Sequence, residues 1–130
     1  MREPDVRSDH GAGVSPVSTV RRYYELVDSG DVSGLIGLFA PDAQYYRPGY
    51  PPLVGRAALE HFYREQRVIK EGSHVLSAVV AAGDNVAVHG EFKGLLRNGQ
   101  QVDARFADFF SFGPDGYFAR RDTFFFSPLV

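Results

Sequence analysis

From His74 onward, runs rich in β-branched and aromatic residues are broken three times, by Gly-Asp-Asn, Arg-Asn-Gly and Gly-Pro-Asp-Gly. This pattern constrains the fold more than any other feature of the chain. Each break is a tight-turn signal, so the runs read as successive strands of an antiparallel meander. A meander with one apolar face needs a second layer to cover it.

The N-terminal half supplies that layer. Ser15 followed by Pro16 starts a helix, with proline at the first helical position. Val20, Tyr23, Tyr24 and Val27 recur at helical spacing, and Gly30 ends the run. Asp31 can cap a second short helix carrying Val32, Leu35, Ile36 and Phe39. Ala40 to Gly55 holds four of the eight prolines and is expected to be irregular, with a short strand over Ala43 to Tyr46. Gly55 then opens a third helix, "RAALEHFYREQRVI", with Ala58, Leu59, Phe62 and Tyr63 on its buried side. Helices first and strands afterwards define the α+β class, three N-terminal helices packed on one face of an antiparallel sheet. Residues 1–14 are polar and aperiodic and read as a flexible arm, leaving a single domain over 15–130.

Bulk properties remove several function classes. With 130 residues, 44% of them hydrophobic, the chain suits one core of ordinary size. A formal net charge of −2 gives no attraction for nucleic acid or anionic lipid, so neither is expected as a partner. No apolar run nears the roughly 18 residues of a membrane span, and no secretory signal is evident, so the expected compartment is the cytoplasm. Without cysteine there is no thiol chemistry. His10, His61, His74 and His89 lack metal-site spacing, and no phosphate-binding loop or G-x-S-x-G elbow occurs, so neither metal nor cofactor is expected. The unusual element is aromatic: eleven phenylalanines and seven tyrosines, without tryptophan. They can build a core, or a sheet that lines a hydrophobic pocket.

Strand parity sorts residues by face. In "NVAVHGEF", Val86, Val88, Gly90 and Phe92 face the helices, whereas His89 points outward to solvent. In "ARFADFFSF", Asp108 shares the inner face with Ala104, Phe106, Phe110 and Phe112. A hairpin pairing Phe112 with Tyr117 would set Arg121 opposite Asp108, with Thr123 and Phe125 on the same wall. A one-residue slip would instead bring in Arg120, Asp122 and Phe124. The outer face would carry Phe109 and Phe118, an apolar surface suited to a homodimer.

"RYYELVDSGDVSGLIGLFAPDAQYYRPG", the following "GRAALEHFY" and the later "ADFFSFGPDGYF" resemble the NTF2-like superfamily, closest in pattern to its ketosteroid isomerase and SnoaL-like polyketide cyclase branch. The resemblance implies a curved antiparallel sheet closed by three helices into a cone with one deep apolar pocket, usually dimeric. It also implies roles. Tyr23 falls where ketosteroid isomerases keep an oxyanion-binding tyrosine, and Asp108 where an aspartate shares that oxyanion hole, a carboxylic acid held neutral by its apolar site. The isomerase's general base does not carry over, because Arg47 stands in its place before Pro48. Tyr45 and Tyr46 fall at the pocket rim. Asp122 matters for the epoxide-hydrolase-like members, which use paired aspartates beside an arginine.

For Asp108 three readings stand: half of a structural ion pair with Arg121, a neutral hydrogen-bond donor, or a base kept ionised by Arg121 or Arg47. The resemblance favours the base, with Tyr23 donating to a developing enolate and Arg121 tuning charge. Arg47, Tyr45, Tyr46, Phe62, Phe92, Phe106, Phe110, Thr123 and Phe125 would hold a hydrophobic, polyketide- or steroid-like substrate. The expected activity is cofactor-free proton transfer leading to aldol cyclisation or isomerisation. The alternatives are a non-catalytic binding or dimerisation module and an epoxide hydrolase.

Overall fold

The computed structural model describes residues 15–126, so the arm expected over 1–14 lies outside the described residues. Helix α1 spans Pro16–Ser29. The Ser15 side chain accepts from the Ser18 amide at its start, and Gly30, at φ 79°, receives its end in the left-handed conformation glycine tolerates. Asp31 caps α2, Val32–Ile36, by accepting from the Gly34 amide. Phe39, expected on this helix, instead begins strand β1, Phe39–Tyr46. A short β2, Leu53–Val54, pairs back onto β1 and precedes α3, Arg56–His61. The helical stretch then widens into one π-helical turn, Phe62–Gln66, and does not run on to Ile69 as the sequence reading has it. Ile69 opens β3, Ile69–Ala82, followed by β4, Asn85–Leu96, β5, Gln101–Phe112, and β6, Phe118–Phe125.

The six strands form one curved, unclosed sheet in the order β2-β1-β6-β5-β4-β3. All neighbours are antiparallel except β1, which runs parallel beside β6. The three helices pack against this sheet, giving the expected α+β architecture. Among the described residues no helix is long and apolar enough to cross a membrane.

Two bulges decide which side chains reach the concave face. In β3 the register passes from Ala78↔His89 to Leu76↔Gly90, so Ser77 is an extra residue. Strict alternation from the Gly83 turn would put Val75 inside; the bulge turns His74 inward opposite Phe92 and leaves Val75 62% exposed. In β6 the register passes from Ser111↔Arg120 to Phe112↔Phe118, making Ala119 the extra residue. Phe118, expected outside, is therefore fully buried against Phe39, Phe110 and Phe112. Beyond that bulge Arg121, Thr123 and Phe125 keep the inward face, and Asp122 sits opposite Phe109 on the outer one.

Glycines let the strands and rings close up. A Cβ at Gly90 would lie 2.4 Å from the Val75 carbonyl oxygen and 3.0 Å from the Phe106 ring. At Gly94 it would meet the ring of Phe92 at 2.5 Å.

Candidate functional site

A cavity of about 20 Å³ lies between α1, the π-helical turn and the concave sheet. Its walls are Tyr23, Tyr45, Arg47, Tyr63, Arg67, Ile69, His74, Phe92, Phe106, Arg121, Thr123 and Phe125. The deep apolar cone implied by the resemblance is largely filled with protein rings. The remaining space holds about one water, whereas a benzene-sized guest needs roughly 150 Å³.

Behind this cavity Asp108 is completely buried. Its Oδ2 accepts from Tyr24 Oη and from Arg121 Nη2, the latter at 2.8 Å, and its Oδ1 accepts from Thr123 Oγ1. The register sets Thr123 directly opposite Asp108 and Arg121 opposite Phe110, so the guanidinium reaches the carboxylate diagonally. The Asp108–Arg121 pair forms as expected, although the register differs by two residues from the expected one. An even shift preserves parity, so the inward set is unchanged.

The hydrogens in this network can be followed. Thr123 gives its hydroxyl hydrogen to Asp108, so Tyr45 Oη, 3.2 Å from Thr123 Oγ1, is the donor in that contact. Arg121 Nη1 donates to Tyr23 Oη at 2.6 Å and to Tyr63 Oη at 3.0 Å. Those two hydroxyls lie 2.5 Å apart and share one hydrogen. The hydrogen of the other hydroxyl has no acceptor among the described residues, and both rings line the cavity. Tyr63 comes from the π-helical turn, where it and the adjacent Phe62 are both buried.

Burial pushes the Tyr23 hydroxyl well above its usual range, offset only in part by the Arg121 charge. Burial also raises Tyr24 well above that range, reinforced by the charge of Asp108, and raises Tyr63. All three remain donors at neutral pH. For Arg121, burial acts to lower the pKa, but Asp108 and the surrounding tyrosines outweigh it and the guanidinium stays charged.

His74 also lines the cavity; its Nδ1 lies 2.6 Å from Asp28 Oδ1, and its amide donates to Asp28 Oδ2 at 2.9 Å. A carboxylate can only accept there, so Nδ1 carries the hydrogen and Nε2 is the nitrogen left to meet a ligand. Tyr24, Phe92 and Phe106 hold the ring, with centroids 4.8–5.3 Å from it.

Of the residues singled out from the sequence, Tyr23, Tyr45, Arg47, Phe92, Phe106, Arg121, Thr123 and Phe125 line the cavity. Asp108 sits behind Thr123 and Arg121. Phe62 packs under Arg47, and Phe110 packs against Tyr23 and Tyr24. Tyr46, expected at the rim, alternates to the other face of β1, where its ring stacks under Arg120. Asp122 pairs with Arg120 at 3.1 Å on that outer side, away from the cavity. Tyr24, Tyr63, His74 and Asp28 belong to the site without having been singled out for it. For the first two a signal existed, because both fall on buried helix faces. His74 is hidden by its bulge.

Three helices packed on a curved, unclosed six-stranded sheet make up the NTF2-like α+β fold. A family model for the SnoaL-like domain matches residues 20–121, and the chain belongs to that family. Solved structures with the same fold include an NTF2-like protein of unknown function from Burkholderia pseudomallei (TM-score 0.79, 21% identity, covering 86% of this chain and 92% of that one). Another is a SnoaL-like polyketide cyclase, described as putative, from Jannaschia (TM-score 0.72, 20% identity, covering 85% of each chain). A third is the epoxide hydrolase/cyclase-like enzyme SalBIII of pyran ring formation in the polyether salinomycin (TM-score 0.75, 22% identity, covering 85% of this chain and 89% of that one). At these identities the likeness is one of fold.

Proposed function

We propose that this chain is an enzyme that moves a proton on a hydrophobic, carbonyl-bearing small molecule, leading to aldol cyclisation or isomerisation. The observation that carries this reading is the unshared hydrogen of the Tyr23–Tyr63 pair. It is a preorganised donor, backed by a buried cation, at a water-poor surface, which is what a developing enolate oxygen requires. Asp108 is the base that the resemblance suggests. Its carboxylate is occupied by three donors and screened from the cavity by Thr123, so we move proton abstraction to His74. His74 Nε2 takes the hydrogen from the carbon next to the carbonyl, and the electron pair moves onto the oxygen facing the tyrosines. The enolate carbon then either attacks a second carbonyl, forming a carbon–carbon bond, or is reprotonated elsewhere. Asp108 keeps Arg121 charged and the hydroxyls oriented.

Solvent-deuterium exchange into apolar cyclic ketones, β-tetralone first, followed by NMR, tests this. Exchange should exceed the buffer rate and fall roughly 10²–10⁴-fold in His74→Gln and in a Tyr23→Phe, Tyr63→Phe pair. No exchange, or exchange indifferent to both changes, would refute it.

One observation favours a non-catalytic second reading: an enclosed space of about 20 Å³ admits no ring as it stands. On that reading the Asp108–Arg121 network is structural and the domain binds without reacting. Ligand binding without any exchange is its signature.

A further inference from the structure

Arg47 is 8% exposed, yet among the described residues no carboxylate pairs with it. Its Nε and Nη2 are buried and without hydrogen-bond partners. Its guanidinium carbon lies 5.1 Å from the ring centroids of Tyr50 and Phe62 and 5.6 Å from that of Phe125. Those rings attract the cation but offer no acceptor for its hydrogens.

The two carboxylates that pair with cavity-lining side chains are committed elsewhere, Asp108 to Arg121 and Asp28 to His74. Arg47 and Arg121 both line the cavity, and of the two only Arg121 has a counter-charge among the described residues. An uncompensated buried cation is costly, and a guanidinium cannot shed its proton to escape that cost. A missing anion of defined shape is the simplest completion. Nε and Nη2 lie along one edge of the guanidinium, and their N–H bonds point the same way. That fork fits the two oxygens of a single carboxylate.

We infer that the ligand of this cavity is an apolar carboxylic acid, held by a bidentate carboxylate–Arg47 pair, with its hydrophobic body against Phe92, Phe106 and Phe125. This rests on the cavity being a small-molecule site. Because the enclosed space is about 20 Å³, entry displaces the half-buried Phe125 and Arg67 at its edge.

The test is calorimetric titration with a matched pair, 2-naphthoate and 2-naphthamide, on the wild type, Arg47→Met and Arg47→Lys. The wild type should prefer the carboxylate by about tenfold or more. Arg47→Met should lose that preference, and Arg47→Lys should keep only part of it, because a point charge replaces a fork. Thermal melting of the ligand-free proteins gives a second readout: Arg47→Met should melt no lower than the wild type, since it removes an uncompensated charge. Equal binding of both probes by the wild type, or a preference that survives in Arg47→Met, overturns the carboxylate while leaving the cavity as a binding site. Binding of neither probe overturns both. A markedly lower melting temperature for Arg47→Met also counts against the inference, because it would mean that Arg47 is already paired.

Discussion

Arg121 reaches Asp108 across a diagonal of the β5–β6 ladder, Nη2 to Oδ2 at 2.8 Å, while Thr123 occupies the position directly opposite the carboxylate. The side chains are 6% and 0% exposed, so water cannot replace either charge's partner. Removing one partner of such a pair typically costs about 3–5 kcal/mol, and roughly 1 kcal/mol moves the melting point of a domain this size by several degrees. Asp108→Asn should therefore lower the melting temperature by roughly 10–20 °C. Asp108→Leu combined with Arg121→Met should recover much of that loss. Thermal melts of the two variants decide it; an Asp108→Asn protein as stable as the wild type would mean that the pair contributes nothing.

The three buried tyrosines predict an alkaline limit. Burial raises the folded-state pKa of Tyr23, Tyr24 and Tyr63 above the unfolded value of about 10. Their contribution to stability is complete below about pH 10 and is lost as the pH rises above it, by up to about 1.4 kcal/mol per pH unit for each. Urea unfolding between about pH 9 and 11.5 should show this decline, with part of the tyrosinate absorbance appearing only on unfolding. A gradual titration of every tyrosine in the folded protein would contradict it.

Gly90→Ala should destabilise by about 1–3 kcal/mol, because the added methyl meets a backbone oxygen at 2.4 Å that cannot turn aside. Chemical denaturation measures it. No change in midpoint would mean that β3 and β4 can separate at no cost.

A second copy of the chain is proposed to cover the outer face of the sheet. Phe109 and Phe124, 50% and 53% exposed, pack edge to face there, with ring centroids 5.8 Å apart. Sedimentation at micromolar concentration should give a dimer, and Phe109→Ser with Phe124→Ser a monomer. A monomeric wild type would rule this out.

Much of the fold could be read from turn chemistry and period: α1 and its caps, β4 to β6, and the inward faces of Val88 and Asp108. The ion pair was reached through an incorrect register, which happened to keep its parity. The errors lie where the chain departs from strict period. Neither Ser77 nor Ala119 carries a local mark of a bulge, and nothing in "EHFYREQ" announces a π-helical turn. His74 is delivered by such an irregularity and carried no local signal, whereas Tyr24 and Tyr63 lie on buried helix faces that the period does show.

The extra residue at Ser77 gives β3 a property that point substitutions do not reveal. Deleting that single residue would leave His74 inward opposite Phe92, whereas straightening the strand with Ser77 retained opposite Gly90 would carry Val75 inward and His74 out to solvent, with neither residue changed. The identity of a wall residue here is thus set by where the strand bulges as much as by side-chain type. A β3 of the same length without the bulge would show the cavity an aliphatic side chain where this one shows an imidazole, and a gap-free alignment of the two would pair residues that point to opposite sides of the sheet.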